Sequence, residues 1–166
     1  RFFADIQLDN NNEVITAHCP NTGSMQGLLE EGNPVFVTKV DDPKRKLKYT
    51  LEIIKSGNAN VGVNTHKANR IVEDAIEMYL IPELGKYDSY KREVKYGTNS
   101  RIDFLLSDGD KQTYVEVKNV TLSRKNETAE FPDAITERGS KHLIELSKLP
   151  SKNTRAVMLF LIQRDD

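Results

Sequence analysis

The stretch Arg101–Val120, RIDFLLSDGDKQTYVEVKNV, constrains this chain more than any other, because it reads as a hairpin whose turn decides which side chains meet. Its turn signal is Asp108-Gly109-Asp110-Lys111, with a Gly-first central pair suited to a tight primed turn. A loop symmetric about Gly109 and Asp110, two or four residues long, sets Asp103 directly opposite Glu116, with Cβ atoms about 4.5–5.5 Å apart. An odd-length loop would displace Asp103 by one residue and turn it from Glu116. Lys118 shares the face of Glu116, and Arg101 falls opposite Lys118. Two facing carboxylates repel each other, and a divalent cation between them removes that cost. Mg²⁺ (or Mn²⁺) takes oxygen ligands, commonly one or two carboxylates completed by waters and phosphate oxygens. Asp103 and Glu116 are therefore candidate ligands, and the Val117 carbonyl is a third. Lys118 is placed to orient a water and to stabilise charge developing on a phosphate. The competing account is an ion-pair ladder on a solvated sheet face. The flanks Ile102, Phe104, Leu105, Leu106, Tyr114, Val115, Val117 and Val120 argue against it, since charges set inside strands this apolar concentrate at functional sites.

With 166 residues, 37% hydrophobic and 30% charged, the chain can build one compact unit or two small ones around a real core. A formal net charge of −1 excludes a wholly basic nucleic-acid binder and restricts any such surface to local patches. One cysteine, Cys19, rules out an internal disulfide framework and suits a reducing cytoplasm. No apolar run approaches the roughly 18 residues that span a bilayer, and no signal-peptide pattern opens the chain. It begins in what reads as a strand and stops just after another, so both natural ends are expected to be missing. The histidines and Cys19 are too scattered for a zinc site, and no serine or cysteine triad is evident.

Residues 1 to about 60 read as short strands, Arg1–Leu8, Glu13–Cys19, Pro34–Val40 and Lys48–Lys55, at the spacing of a small barrel or sandwich. From Asn64 the pattern changes. Asn69 is positioned to cap a helix over Arg70–Leu80, with Val72, Ala75, Ile76 and Tyr79 on one face, Glu73 and Glu77 on another, and Pro82 after it. A strand near Arg92–Tyr96 precedes the hairpin. A second helix is expected over Thr136–Leu149, with Leu143, Ile144 and Leu146 apolar and Pro150 closing it. The nearly continuous apolar run in Arg155–Gln163 suggests a strand covered on both faces, and the intervening helix favours a parallel crossover. Ser123–Glu130 is polar enough to be a mobile loop.

The order helix, three strands, helix, strand, with Asp103 on the second strand and Glu116-Val117-Lys118 on the third, resembles the core of the PD-(D/E)XK, or restriction-endonuclease-like, superfamily. That resemblance adds Glu73, or less readily Glu77, as a further metal ligand. The Pro common before the Asp is absent here, where Ile102 stands. A closer resemblance covers nearly the whole chain. The strings HCPNTGSMQGLL (His18–Leu29), VGVNTH (Val61–His66), SRIDFLL (Ser100–Leu106), YVEVKNVTL (Tyr114–Leu122) and FPDAITERGSKHL (Phe131–Leu143) are similar to the sugar fermentation stimulation protein family. The resemblance implies an α+β chain: an OB-like β-barrel over residues 1–63 and a restriction-endonuclease-like αβββαβ domain over 64–166 that lacks its natural C-terminal end. It also implies DNA binding.

Smaller features suit that partner. Lys44, Arg45, Lys46 and Lys48 form a basic turn that can hold phosphates, or an ordinary solvated loop. Asn21, Thr22 and Ser24 belong to a loop of donors that can receive an anion, or to a structural turn. Asn64, Thr65 and His66 either meet phosphate before the first helix or simply cap it. Glu137, Arg138, Lys141 and His142 face away from the apolar side of the second helix, which reads first as a solvated face and second as a surface toward the metal or DNA. The expectation is a cytoplasmic nucleic-acid-binding protein, for DNA before RNA, with a Mg-dependent nuclease-like site. The sequence leaves open whether it cleaves, and its oligomeric state, a homodimer included. A non-cleaving DNA-binding regulator of sugar-utilisation genes is the alternative, and an enzyme acting on a small phosphorylated molecule is the third reading.

Overall fold

The computed structural model describes residues 2–98, 100–125, 128–131 and 137–166, without the side chain of Arg138. The chain forms two compact units, residues 1–67 with 119–134 and 162–166, and residues 68–118 with 135–161.

In the first unit β1 (Phe3–Gln7), β2 (Val14–His18), β3 (Val35–Lys39), β4 (Tyr49–Ser56) and β5 (Ala59–Gly62) form one five-stranded sheet. β1 and β2 are antiparallel, with Gln7 against Val14. β3 lies antiparallel along one edge of β4, with a register shift between Phe36 and Val37. The other edge of β4 is shared: β2 meets it in parallel at Tyr49 and Thr50, and β5 pairs antiparallel from Ile53 to Ser56. Sharing one long strand in this way curls a small sheet toward a barrel. Alternation along β2 buries Ile15 and Ala17, which is the inward set of a half-covered strand. Cys19, Met25, Leu28, Leu51, Ile54, Ala59, Val61 and Val63 make the core. Within the expected loop at Ser123–Glu130 the described residues form two short antiparallel strands, β9 (Leu122–Lys125) and β10 (Thr128–Glu130), with Arg124 ion-paired to Glu130.

The second unit is a four-stranded sheet in the order β11-β8-β7-β6, built from β6 (Ser89–Tyr96), β7 (Ser100–Asp108), β8 (Lys111–Val120) and β11 (Thr154–Ile162). β6, β7 and β8 are antiparallel neighbours. β8 and β11 run parallel, because Gln112 N–H donates to the Asn153 carbonyl where both begin and Gln163 N–H to the Val120 carbonyl where both end. The crossover carries α2 (Glu137–Ser147). Val72 and Ile76 of α1 (Thr65–Glu77) pack with Phe104, Leu106, Val115 and Val117, whereas Leu146 of α2 packs with Leu105. Successive strand residues point to opposite faces, so the run Phe104-Leu105-Leu106 is apolar because each face carries a helix.

The first helix and the last strand differ from expectation. α1 starts at Thr65, and its cap is Asn64, whose side-chain oxygen accepts the His66 N–H at 3.1 Å. Asn69 thus lies inside the helix. The helix ends before Pro82 through a Schellman motif: Leu80 N–H bonds to the Ala75 carbonyl and Tyr79 N–H to that of Ile76, with Tyr79 at φ 55°. Finally, β11 is an edge strand among the described residues: Val157, Leu159 and Leu161 pack on one face and Ala156 and Met158 on the other, as expected, while Phe160 and Ile162 are exposed.

Candidate functional site

The hairpin closes through a two-residue loop. Asp108 pairs with Lys111, and the ladder continues to Phe104 against Val115. Continued one step, this register sets Asp103 against Glu116, as the symmetric turn requires. Backbone pairing stops there. In its place the Asp103 Oδ2 accepts the Val117 N–H at 2.7 Å, while Oδ1 accepts the Asn69 amide at 2.8 Å. The ladder on the other side of β7 is interrupted at the same point: Arg92 pairs with Phe104 and Val94 with Ile102, skipping Glu93 and Asp103. Glu93 stands there at φ 52°, a strained conformation for a non-glycine in a strand and of the kind that clusters at functional sites.

Glu116 is only 5% exposed. Its Oε1 accepts the Lys118 ammonium at 2.5 Å and lies 3.1 Å from His142 Nδ1. Its Oε2 is buried and has no hydrogen-bond partner among the described residues. A buried carboxylate oxygen without a donor is costly, which makes it a natural ligand position. Burial raises the Asp103 carboxyl above its ordinary value and the Glu116 charge adds to this, against the bonds from Val117 and Asn69 and the charge of Lys118. A cleft of about 610 Å³ opens over both carboxylates, lined also by Glu93, Ser100, Arg101, Glu137, Lys141 and His142. No three His, Cys, Asp or Glu side chains among the described residues group closely enough to hold an ion unaided. The donor set fits a hard cation that takes two carboxylates and completes its shell with water or phosphate oxygens.

Glu73 is otherwise employed. Its carboxylate accepts Arg92 at 2.8 Å and the Tyr90 hydroxyl at 3.2 Å, and it is not part of the cleft lining. Glu77 accepts the Tyr90 hydroxyl at 2.5 Å. Either would have to leave these partners to reach an ion. On α2, Glu137 and Lys141 are exposed, as a solvated face requires, and together with the part-buried His142 they line the cleft. Arg138 has no described side chain. Asn69 and Glu93 are site residues that the sequence does not flag as such, whereas His142 is flagged there, as one of the polar group whose second reading faces the metal or DNA.

In the N-terminal unit a second cleft, of about 540 Å³, brings Arg45 and Lys46 together with His18, Thr50, Glu52, Asn64 and His66. Arg45 is steadied by the Thr50 hydroxyl at 3.1 Å, and neither cation has an ion pair among the described residues. Burial alone would raise Glu52, but bonds from Asn64, Lys67 and Thr38 hold its carboxyl below the usual range. Lys44 is exposed outside this cleft, and Lys48 donates to the Asp42 carbonyl. Asn21 is buried, donating to the Val63 carbonyl and accepting the Gly23 N–H, so its amide braces the loop. Thr22 is exposed, and the exposed Ser24 accepts the Gln26 N–H. Among the described residues no helix is long and apolar enough to cross a membrane.

Comparison with known proteins bears on both units. Residues 1–63 match the family model described as the SfsA N-terminal OB domain, and residues 66–166 match that of the sugar fermentation stimulation protein RE domain. The chain is 55% identical over 163 residues to a sugar fermentation stimulation protein homolog of Pelagibacter ubique, covering 98% of this chain and 69% of that one. It is 53% identical over 166 residues to the homolog of Geotalea daltonii, covering all of this chain and 71% of that one. A solved structure, that of Pyrococcus furiosus SfsA in complex with Ca²⁺, superposes with a TM-score of 0.82 at 29% identity, over 96% of this chain and 67% of that one.

Proposed function

Because this chain belongs to the sugar fermentation stimulation protein family, with an OB domain and a nuclease-like domain, we propose that it binds DNA and carries a divalent-metal phosphodiesterase site. The observation that carries this reading is the Oε2 of Glu116, buried beside Asp103 and without a hydrogen-bond partner among the described residues. Asp103 and Glu116 would hold Mg²⁺ or Mn²⁺, with Val117 anchoring Asp103 through its N–H and able to add its carbonyl. The Ca²⁺ in the Pyrococcus relative supports a hard divalent ion over a thiophilic one. Such an ion, when bound, polarises a phosphoryl oxygen and lowers the pKa of water. Lys118 keeps Glu116 charged-paired and stands two residues along the same strand, where its ammonium can offset charge developing on phosphate. Arg101 and Lys141 at the cleft give phosphates further cations. In the N-terminal unit Arg45 and Lys46 are the groups best placed to grip the backbone, with His18 and His66 beside them.

The alternative, a DNA-binding regulator that retains the fold without cutting, is favoured by one observation. Glu73 is committed to Arg92, which leaves two carboxylates where an active centre would gain from a third. Incubating single- and double-stranded DNA and RNA with Mg²⁺ or Mn²⁺ separates the readings. Cleavage that disappears in Asp103→Ala and Lys118→Ala supports the enzyme. Retarded DNA with no cleavage under any metal supports the regulator, and cleavage that survives both substitutions moves the site elsewhere.

A further inference from the structure

Glu116 receives two donors on the same oxygen, from two different elements. Lys118 approaches Oε1 from the same strand, and His142 Nδ1 approaches it from α2. An ionised carboxylate only accepts, so this bond requires the imidazole proton on Nδ1. The arrangement is asymmetric where a free carboxylate is not. The terminal torsion of a glutamate is intrinsically broad, so the plane of its carboxylate is free to turn unless an oxygen is held. Two donors on one oxygen hold the carboxylate plane in a single orientation, in which Oε2 has no hydrogen-bond partner among the described residues. Packing does not explain why His142 is here. Leu146 is the buried apolar residue of α2, while Leu143 and Ile144 are 48% and 56% exposed. The helix thus presents its polar side, with Lys141 and His142, to the cleft.

We propose that His142 is a positioning residue, whose Nδ1–H fixes the Glu116 carboxylate so that Oε2 is presented to a divalent ion. The inference rests on the metal-site reading above. Partners that orient a ligand in this way typically contribute about 10–100-fold in metal affinity. The side-chain amide of an asparagine can stand where Nδ1 stands, whereas that of a glutamine reaches the Nε2 position, so the two variants separate the bond from mere bulk.

The test is Mn²⁺ titration calorimetry on the full chain, for wild type, Asp103→Ala, His142→Ala, His142→Asn and His142→Gln, with melting in EDTA as the control for folding. His142→Ala and His142→Gln are expected to bind about 10–100-fold more weakly, and His142→Asn to keep most of the affinity. Long-range ¹H–¹⁵N NMR of metal-free wild type is expected to find the proton of His142 on Nδ1. Wild-type affinity in His142→Ala overturns the proposal, as does an Nε2–H tautomer. Equal loss in all three His142 variants, matched by equal loss of melting temperature, also overturns it and leaves a structural role. Absence of Mn²⁺ binding by wild type fails the metal reading itself. Binding that Asp103→Ala abolishes and His142→Ala does not fails the positioning proposal alone.

Discussion

Asp103→Asn separates what this residue does for the fold from what it does for an ion. In the metal-free protein each Asp103 oxygen accepts one hydrogen bond, from Val117 N–H and from the Asn69 amide. Asparagine keeps the first with its carbonyl and keeps the second if Asn69 flips to present its own oxygen. The charge is lost, but burial and Glu116 already disfavour that charge, as the raised carboxyl indicates. In EDTA at pH 7 the variant is therefore expected to be as stable as wild type, or more stable by up to about 1 kcal/mol. Asp103→Ala differs, since it orphans the Val117 N–H and should cost about 1–3 kcal/mol. Mn²⁺ reverses the order. At one hundred times its dissociation constant an ion stabilises wild type by about 2.7 kcal/mol. For a chain of this size that corresponds to roughly 5–11 °C, at about 2–4 °C per kcal/mol. Asp103→Asn should show almost none of it. Melting followed by circular dichroism in EDTA and in Mn²⁺ checks both halves. A variant markedly less stable than wild type in EDTA, or one stabilised equally by Mn²⁺, refutes the reasoning.

Because the folded carboxyl of Asp103 is raised, its stabilising contribution is fully present below the unfolded value near 3.8 and is lost as pH rises through the folded value. Denaturant titrations in EDTA should thus show a stability component that grows on acidification and is missing in Asp103→Asn. Phe104→Ala, at a site with no exposure between α1 and the sheet, should cost about 3–5 kcal/mol by denaturant melts. Arg45→Ala with Lys46→Ala should weaken DNA binding and flatten the dependence of log affinity on log salt by up to about 0.7–0.9 per lost phosphate contact. Lys48→Ala should do less, because its ammonium is tied to the Asp42 carbonyl.

The hairpin was legible because a two-residue turn and a period of two leave a single register, and that register sets Asp103 against Glu116. The first four strands were legible for a similar reason, as alternation such as Ile15 and Ala17 records a half-covered sheet. β5 was not, because Ala59–Gly62 is too short to show a period and exists by pairing with β4. At the start of α1 two asparagines each fit a cap. Only tertiary structure decides that Asn64 caps while Asn69 reaches Asp103 from inside the helix. Glu93 was illegible in principle, since a positive φ leaves no mark on a glutamate. Glu73 was assigned to an ion on resemblance, and the arginine that claims it comes from β6, which helix periodicity cannot report.

The central claim is that Asp103 and Glu116 share a divalent ion. Anomalous diffraction from crystals soaked in Mn²⁺ tests it most directly. The expected result is one strong peak in the cleft, bonded to Glu116 Oε2 and an Asp103 oxygen at about 2.0–2.2 Å, near the distance a small hard cation demands. A cleft without a peak at saturating Mn²⁺, or a peak bonded to neither carboxylate, contradicts it.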